Sequence, residues 1–325
     1  MNPNLGSPVR RGDELERMTF PPLQWAVQGV IPEGFGILAG PPKIGKSWLV
    51  YDVALAVSSG TRAFGIADPG PQREVLYLAL EDSERRLQAR ARALLGAGMR
   101  IPTEFNYVID VQPSHAPDLI ADWLGNVKTK SPVVLMDTLG RLLPPALPGE
   151  TQYQRDYRIA ALFKSLADGK PGATVLAVHH TRKAAAIDWM DGTSGTNGLN
   201  GGADFTMNLE RSRGNDCALL RITGRDVPDS AFAMNFERSR WVLDGTDLSD
   251  AARRAADHAV ARAVGGRSAE IASYVQTHPG GTTPQQVDAH FHTSDARVYL
   301  KRLCDEGHLV KIRRGVYGPV TSVTS

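Results

Sequence analysis

The stretch G-I-L-A-G-P-P-K-I-G-K-S, Gly36 to Ser47, decides how the chain is read. Gly40, Pro41, Pro42, Lys43, Ile44, Gly45, Lys46 and Ser47 follow G-x-x-x-x-G-K-S, a pattern whose backbone wraps phosphate oxygens. An apolar run, Phe35 to Ala39, precedes the pattern. A helix-like run, Trp48 to Val57, follows it, so the motif has the strand–loop–helix setting it needs. Gly40 and Gly45 let the backbone curl with its N–H groups turned inward. The following helix adds the positive end of its dipole. Lys46 is spaced to reach β- and γ-phosphates, and Ser47 to ligate Mg²⁺. A Gly/Pro-rich surface loop that carries Lys-Ser by chance would lack these flanks. The expectation is a nucleoside triphosphate site made by Gly40 to Ser47, with Trp48 beside it.

The rest of the chain sets the frame. Its 325 residues can bury one sizeable core and a small second one. Hydrophobic residues make up 42% and charged ones 22%, a globular balance that excludes a wholly disordered chain. A net charge of +2 excludes an extreme polyanion binder but leaves room for a local basic surface. Cys217 and Cys304 stand far apart without metal-ligand spacing, and read as buried thiols of a reducing compartment. No apolar run reaches the length of a membrane span, and the polar start lacks a secretory core. A cytoplasmic protein is expected, with no membrane partner.

Residues 1–18 read as a flexible lead. Pro22 to Gly34, around Trp25, is expected to pack over the core edge or to border the nucleotide base. Val75 to Leu80 suits a buried parallel strand and ends at Glu81-Asp82. An amphipathic, arginine-rich helix, Ser83 to Leu95, follows. A carboxylate at a strand's carboxyl end lies on the active edge of such a sheet. Glu81 is therefore placed to orient or deprotonate an attacking water, or else to cap the next helix, a role open equally to Asp82 and Ser83. Val133 to Met136 ends in Asp137-Thr138, and Asp137 is expected to hold Mg²⁺ opposite Ser47. A Pro-rich loop, Leu139 to Gln154, comes next, then a helix over Asp156 to Leu166. Another core strand, Ala173 to Val178, leads into His179-His180-Thr181-Arg182-Lys183, where polar residues can sense the γ-phosphate. The stretch 184–204 is rich in Gly, Ser and Asn and reads as a mobile loop at the active edge. Strands over Phe205 to Glu210, Cys217 to Thr223, Ala231 to Phe236 and Trp241 to Leu243 form an antiparallel addition.

Residues 246–266 read as a helical linker, and 267–325 as a separate small domain. Three helices, Ser268 to Thr277, Thr283 to Phe291 and Ser294 to Glu306, precede a hairpin tipped by Arg313-Arg314-Gly315. That order is a winged helix-turn-helix, which binds duplex DNA or docks proteins. Arg297, Lys301 and Arg302 are its candidate DNA contacts.

The pieces G-P-P-K-I-G-K-S, Y-L-A-L-E-D, V-V-L-M-D-T, L-A-V-H-H-T-R-K and S-G-T-N-G-L-N-G-G-A-D, in this order, carry a family resemblance. Residues 19–245 resemble the RecA-like ATPase domain of the plasmid and phage helicase group, relatives of hexameric replicative helicases and of the AAA-type ATPases. The resemblance implies an α/β P-loop fold with a mostly parallel sheet. It implies ATP and Mg²⁺ as ligands, Glu81 as catalytic base, Asp137 as Mg²⁺ aspartate and His180 as the residue coupling nucleotide state to DNA. It also places Arg211 and Arg213, in L-E-R-S-R-G, where such rings insert basic residues into an adjacent subunit's site. The winged-helix module departs from the group, whose members are often little more than the ATPase domain.

The function expected on these grounds is an ATP-dependent DNA motor, a hexameric replicative-type helicase with single-stranded DNA in its channel. Its natural setting would be the cytoplasm of a bacterial or phage-infected cell. The appended module would engage duplex DNA, a replisome protein or an initiator. The alternatives are a filament-forming recombination or repair ATPase or loader, and an ATP-gated DNA-binding regulator that is not a motor.

Overall fold

The computed structural model describes residues 10–96, 98–180, 198–211, 217–264 and 266–320. After a short helix α1 (Gly12–Glu16) comes a small hairpin of β1 (Trp25–Val27) and β2 (Ile31–Pro32). The main α/β unit then runs β3 (Gly34–Gly40), α2 (Lys46–Ser59), β4 (Val75–Ala79), α3 (Glu84–Leu95), β5 (Phe105–Val108), α4 (Ala116–Asn126) and β6 (Val133–Asp137). A 3-10 turn at Leu139–Leu142 leads to α5 (Gln152–Asp168) and β7 (Thr174–His180). A short helix, Gly198–Gly202, precedes β8 (Phe205–Arg211), β9 (Cys217–Gly224), β10 (Ser230–Glu237) and β11 (Arg240–Leu243).

These strands form one nine-stranded sheet in the order β11-β10-β9-β8-β3-β7-β6-β4-β5. From β8 to β5 neighbours are parallel, and the pairs β8–β9, β9–β10 and β10–β11 are antiparallel. This is the expected P-loop fold of the RecA-like type, with its antiparallel addition. Continuous apolar runs such as V-L-Y-L-A and V-V-L-M can occupy its centre because both faces of a parallel sheet are covered. One core lies between the sheet and α2–α3 and includes Tyr51, Tyr77 and Phe105. The other lies under α4 and α5 and includes Phe35, Met136 and Phe163.

Chain order matters for the site. From β3 the chain crosses two strand positions to β4, and it later returns to fill the gap with β6 and β7. The carboxyl ends of β3, β7, β6 and β4 therefore lie side by side. Register aligns them: Gly40 pairs with His180, and Ala79 with Asp137.

Three expectations need correction. Pro22 to Gly34 does not border the nucleotide loop. Its hairpin sits at the amino end of β3, where Gly34 N–H donates to Ala173 O at 2.8 Å. At ~3.3 Å per residue, β3 separates it from Gly40 by roughly 20 Å. Cys217 and Cys304 are half-buried, not buried, because one opens an outlying strand and the other closes a surface helix. The glycines of 198–202 serve close packing, not mobility. A Cβ on Gly198 would meet Tyr153 O at 2.5 Å, and one on Gly202 would meet Ala160 Cβ at 2.5 Å, so only glycine lets this helix lie against α5. Residues 184–197 of that expected loop lie outside the described residues.

Helix Leu248–Val264 packs on β10, with Ala255 against Leu219 and Ala233. Beyond it, helices Gly266–Gln276, Pro284–Phe291 and Ala296–Asp305 precede a hairpin of β12 (Leu309–Arg313) and β13 (Val316–Pro319). They enclose their own core of Ile271, Val275, Val287, Leu300, Leu303 and Leu309. Thr283 closes a capping box with Gln286, and Pro284 opens that helix. This is the element order of a winged helix-turn-helix. Arg297, Lys301 and Arg302 of its third helix, and Arg313 and Arg314 at the hairpin tip, are exposed.

Candidate active site

The phosphate loop is held by groups that the sequence alone does not connect to it. Gly45 is the N-cap of α2 at φ +106°, a conformation that favours glycine. A Cβ there would lie 2.9 Å from Trp241 Nε1. The indole N–H of Trp241 donates to Gly45 O at 3.0 Å, from a side chain that is fully buried. Beside it, Arg240 pairs with Asp52 of α2 at 2.9 Å, a second tie between β11 and the helix. Gly40 is constrained too, since a Cβ would meet Leu209 O at 2.8 Å. Pro41, Pro42 and Lys43 are exposed, whereas the Ile44 side chain joins the core and anchors the loop from below.

Lys46 is buried, and its ammonium makes three close contacts. Nζ donates to Gly40 O at 2.7 Å and to Pro41 O at 2.9 Å, and sits 3.0 Å from His180 Nδ1. An ammonium has only donors, so Nδ1 must accept and the imidazole is neutral. Burial pulls the Lys46 pKa down from 10.5 to about 8, against the charges of Asp137 and Glu81. Burial also lowers His180, and Lys46 adds to that. His179, the next residue, is likewise lowered by burial, with the charge of Asp156 on α5 opposing.

Asp137 ends β6 and is buried. Tyr77 Oη donates to its Oδ2 at 3.0 Å, while Oδ1 is buried without a hydrogen-bond partner. Burial pushes this carboxyl up, and the hydroxyls of Ser47 and Tyr77 counter that. A buried carboxylate beside the Ser47 hydroxyl suits a hard divalent cation, which takes oxygen ligands. Mg²⁺ thus fits Ser47 and Asp137.

Glu81, just past β4, is exposed, and its Oε1 accepts from Thr138 Oγ1 at 3.0 Å. Thr138 follows Asp137 directly, so the candidate metal carboxylate and the candidate base are fixed by adjacent residues. The competing capping role falls to Ser83, whose Oγ accepts from Arg86 N. Asp82 instead pairs with Arg86 and Arg90. The Arg90 guanidinium lies 5.3 Å over the Trp48 ring, which ties Trp48 to α3. Lys46, Ser47, Asp137, Glu81 and His180 therefore share one edge.

Arg211 ends β8, and its guanidinium lies 5.6 Å over Phe236 and 5.7 Å over Trp241 of its own chain. Arg213 and the segment Thr181-Arg182-Lys183 lie outside the described residues. Sequence reading did not find Tyr77, Trp241 or the orienting role of Thr138. The V-V-L-M-D-T match hinted at Thr138, but nothing local linked Trp241 to a glycine 196 positions away.

Residues 7–186, just over half of the chain, match the family model described as the AAA domain. Among solved structures, the chain is similar to the ATPase domain of G40P, at 15% identity and TM-score 0.49, covering 65% of this chain and 84% of that one. It is also similar to a DnaB-like replicative helicase, at 16% and 0.49, covering 64% of this chain and 57% of that one. The RadB recombinase is similar at 14% and 0.45, covering 64% of this chain and 90% of that one. The chain thus spans little more than half of the DnaB-like helicase. No curated protein sequence matches it. Among the described residues no helix is long and apolar enough to cross a membrane.

Proposed function

Because the chain belongs to the AAA domain family, we infer that it is an ATP-hydrolysing DNA motor that assembles with copies of itself, as a hexameric helicase does. The observation that carries the hydrolytic part of this reading is the single edge where Lys46, Ser47, Asp137 and Glu81 meet, with Thr138 held to Glu81. A nucleotide-binding switch needs the loop and lysine. It does not need a carboxylate held in place for an attacking water.

In the proposed reaction, Lys46 leaves the carbonyls of Gly40 and Pro41 for the β- and γ-phosphate oxygens. Loop N–H groups and the α2 amino end hold the same phosphates. Glu81, braced by Thr138, accepts a proton from water as its oxygen attacks the γ-phosphorus. The bond from that phosphorus to the bridging oxygen breaks, giving ADP and phosphate. Bound Mg²⁺, held by Ser47 and Asp137, would neutralise charge on the phosphates. His180, on Lys46 in the free chain, is then released and can report occupancy.

Arg211 and Arg213 are proposed to complete an adjacent copy's site. Supporting this, Arg211 stands on the ring that holds Gly45, so a shift of the β8–β9 hairpin bears directly on the phosphate loop. The winged module is proposed to dock duplex DNA, a replisome protein or an initiator through its exposed arginines and Lys301.

The test is ATP turnover with and without single-stranded DNA, paired with strand separation on a forked duplex and native mass under an ATP analogue. DNA-stimulated turnover, unwinding and a ring mass are expected. Turnover without unwinding under any loading condition would remove the helicase. A filament mass would favour a recombination or repair ATPase or a loader, and full function in Glu81→Gln would favour the ATP-gated regulator.

A further inference from the structure

The outer face of α5 carries a feature that ATP hydrolysis does not use. Tyr153 and Tyr157 stand one turn apart and so project from the same side. Their rings are nearly parallel, 17° between planes, with centroids 6.3 Å apart. Each remains about half exposed, at 50% and 48%. The inward side of α5 is filled by Asp156, Ile159, Ala160 and Phe163, so the tyrosines are not needed for the core.

Position and charge narrow what this surface receives. The amino end of α5 lies at the carboxyl edge of the sheet, the edge that holds the ATP site. Its first turn is fixed by the Thr151–Gln154 capping box and by the two-bond pair of Arg158 with Glu150. Helix Gly198–Gly202 runs alongside, and a Cβ on Gly201 would lie 3.9 Å from the Tyr157 ring. Exposed Arg225 donates to Gly201 O at 3.0 Å, so a guanidinium is held on the same short helix that lies against Tyr157. Flat aromatic faces beside a cation match the alternation of base and phosphate along a single strand. Duplex DNA hides its base faces and does not match.

We propose that Tyr153 and Tyr157 form a stacking platform for the unpaired bases of single-stranded DNA, with Arg225 at the backbone. This rests on reading the chain as a DNA-dependent ATPase. It adds where the strand is gripped. Asp156, on the inward side of the same turn, acts electrostatically on His179 next to His180, so the platform adjoins the nucleotide edge.

The test measures binding of a fluorescent oligodeoxythymidine to the full chain with a non-hydrolysable ATP analogue, across a salt series. Affinity for a fluorescent ATP analogue verifies that the variants are folded. The double variant Tyr153→Ala/Tyr157→Ala is expected to bind DNA about 25-fold more weakly or worse, at roughly fivefold per lost ring. Tyr153→Phe/Tyr157→Phe is expected to stay within about threefold, because the π-faces remain. The slope of log affinity against log salt should not change in the alanine pair and should fall in Arg225→Gln. Undiminished DNA affinity in the alanine pair would overturn the platform alone. A change in native mass in place of DNA affinity would assign this face to contact between copies and also overturn it. A wild-type chain with no affinity for single strands at any salt would overturn both the platform and the motor.

Discussion

Raising the pH should weaken ATP binding while stabilising the free protein, and the reason is Lys46. Its ammonium is buried against Gly40 O, Pro41 O and His180 Nδ1, and burial holds its pKa at about 8 instead of 10.5. Phosphates need the charged form, so binding ATP takes up a proton wherever the free lysine has lost one. At pH 9, one unit above that value, about a tenth of free chains keep the charge, and the apparent Kd rises about tenfold over pH 7. Stability moves the other way. The folded pKa lies below the unfolded one, so between about 8 and 10.5 the unfolded chain holds a proton that the folded chain has released. Resistance of the free protein to urea should therefore rise over that window. Calorimetry in buffers of different ionisation heat counts the proton directly. Lys46→Arg, which stays charged, should lose the pH dependence. A wild-type Kd that is flat from pH 7 to roughly 9.5, or a slope kept in Lys46→Arg, would refute the reasoning.

Other perturbations test the remaining parts. Glu81→Gln should lower kcat by about 100-fold or more with ATP affinity little changed, as read by phosphate release and equilibrium binding. Turnover at the wild-type rate would remove Glu81 from the chemistry. Trp241→Phe deletes the donor to Gly45 O and should cost about 1–3 kcal/mol in urea unfolding, together with weaker ATP binding. An unchanged midpoint would mean the indole bond does not support the loop. Arg73 is buried and donates to Trp25 O, Ala26 O, Pro69 O and Ser131 O, so Arg73→Met should cost about 3 kcal/mol or more by stranding those carbonyls. Gly202→Val drives a side chain into Ala160 and should cost about 1–3 kcal/mol, measured by thermal or urea unfolding.

Much of the architecture was legible because its signals are local. V-L-Y-L-A and V-V-L-M are apolar without alternation, which only a strand covered on both faces tolerates. Each ends in a carboxylate, and a strand's end fixes which edge of the sheet that group joins. The second helix and the hairpin of 266–320 were legible from Thr283-Pro284 and the Arg-Arg-Gly tip for the same reason. Errors arose where one residue type serves two ends. Glycine in 198–202 reads as looseness, yet it permits helix contact with α5. The apolar stretch around Trp25 reads first as packing and also as base contact, and strand direction decides for packing.

The sequence by itself determined that a phosphate-loop pattern, a strand-end aspartate and a glutamate just past a strand exist, because each depends on residues within a few positions of one another. Tertiary structure alone decided what holds them. Trp241 reaches Gly45, Thr138 reaches Glu81 and Tyr77 reaches Asp137 across 196, 57 and 60 positions. The last two depend on β6 lying beside β4, and the first on β11, at the far edge of the sheet, meeting the start of α2, distances that no local pattern encodes.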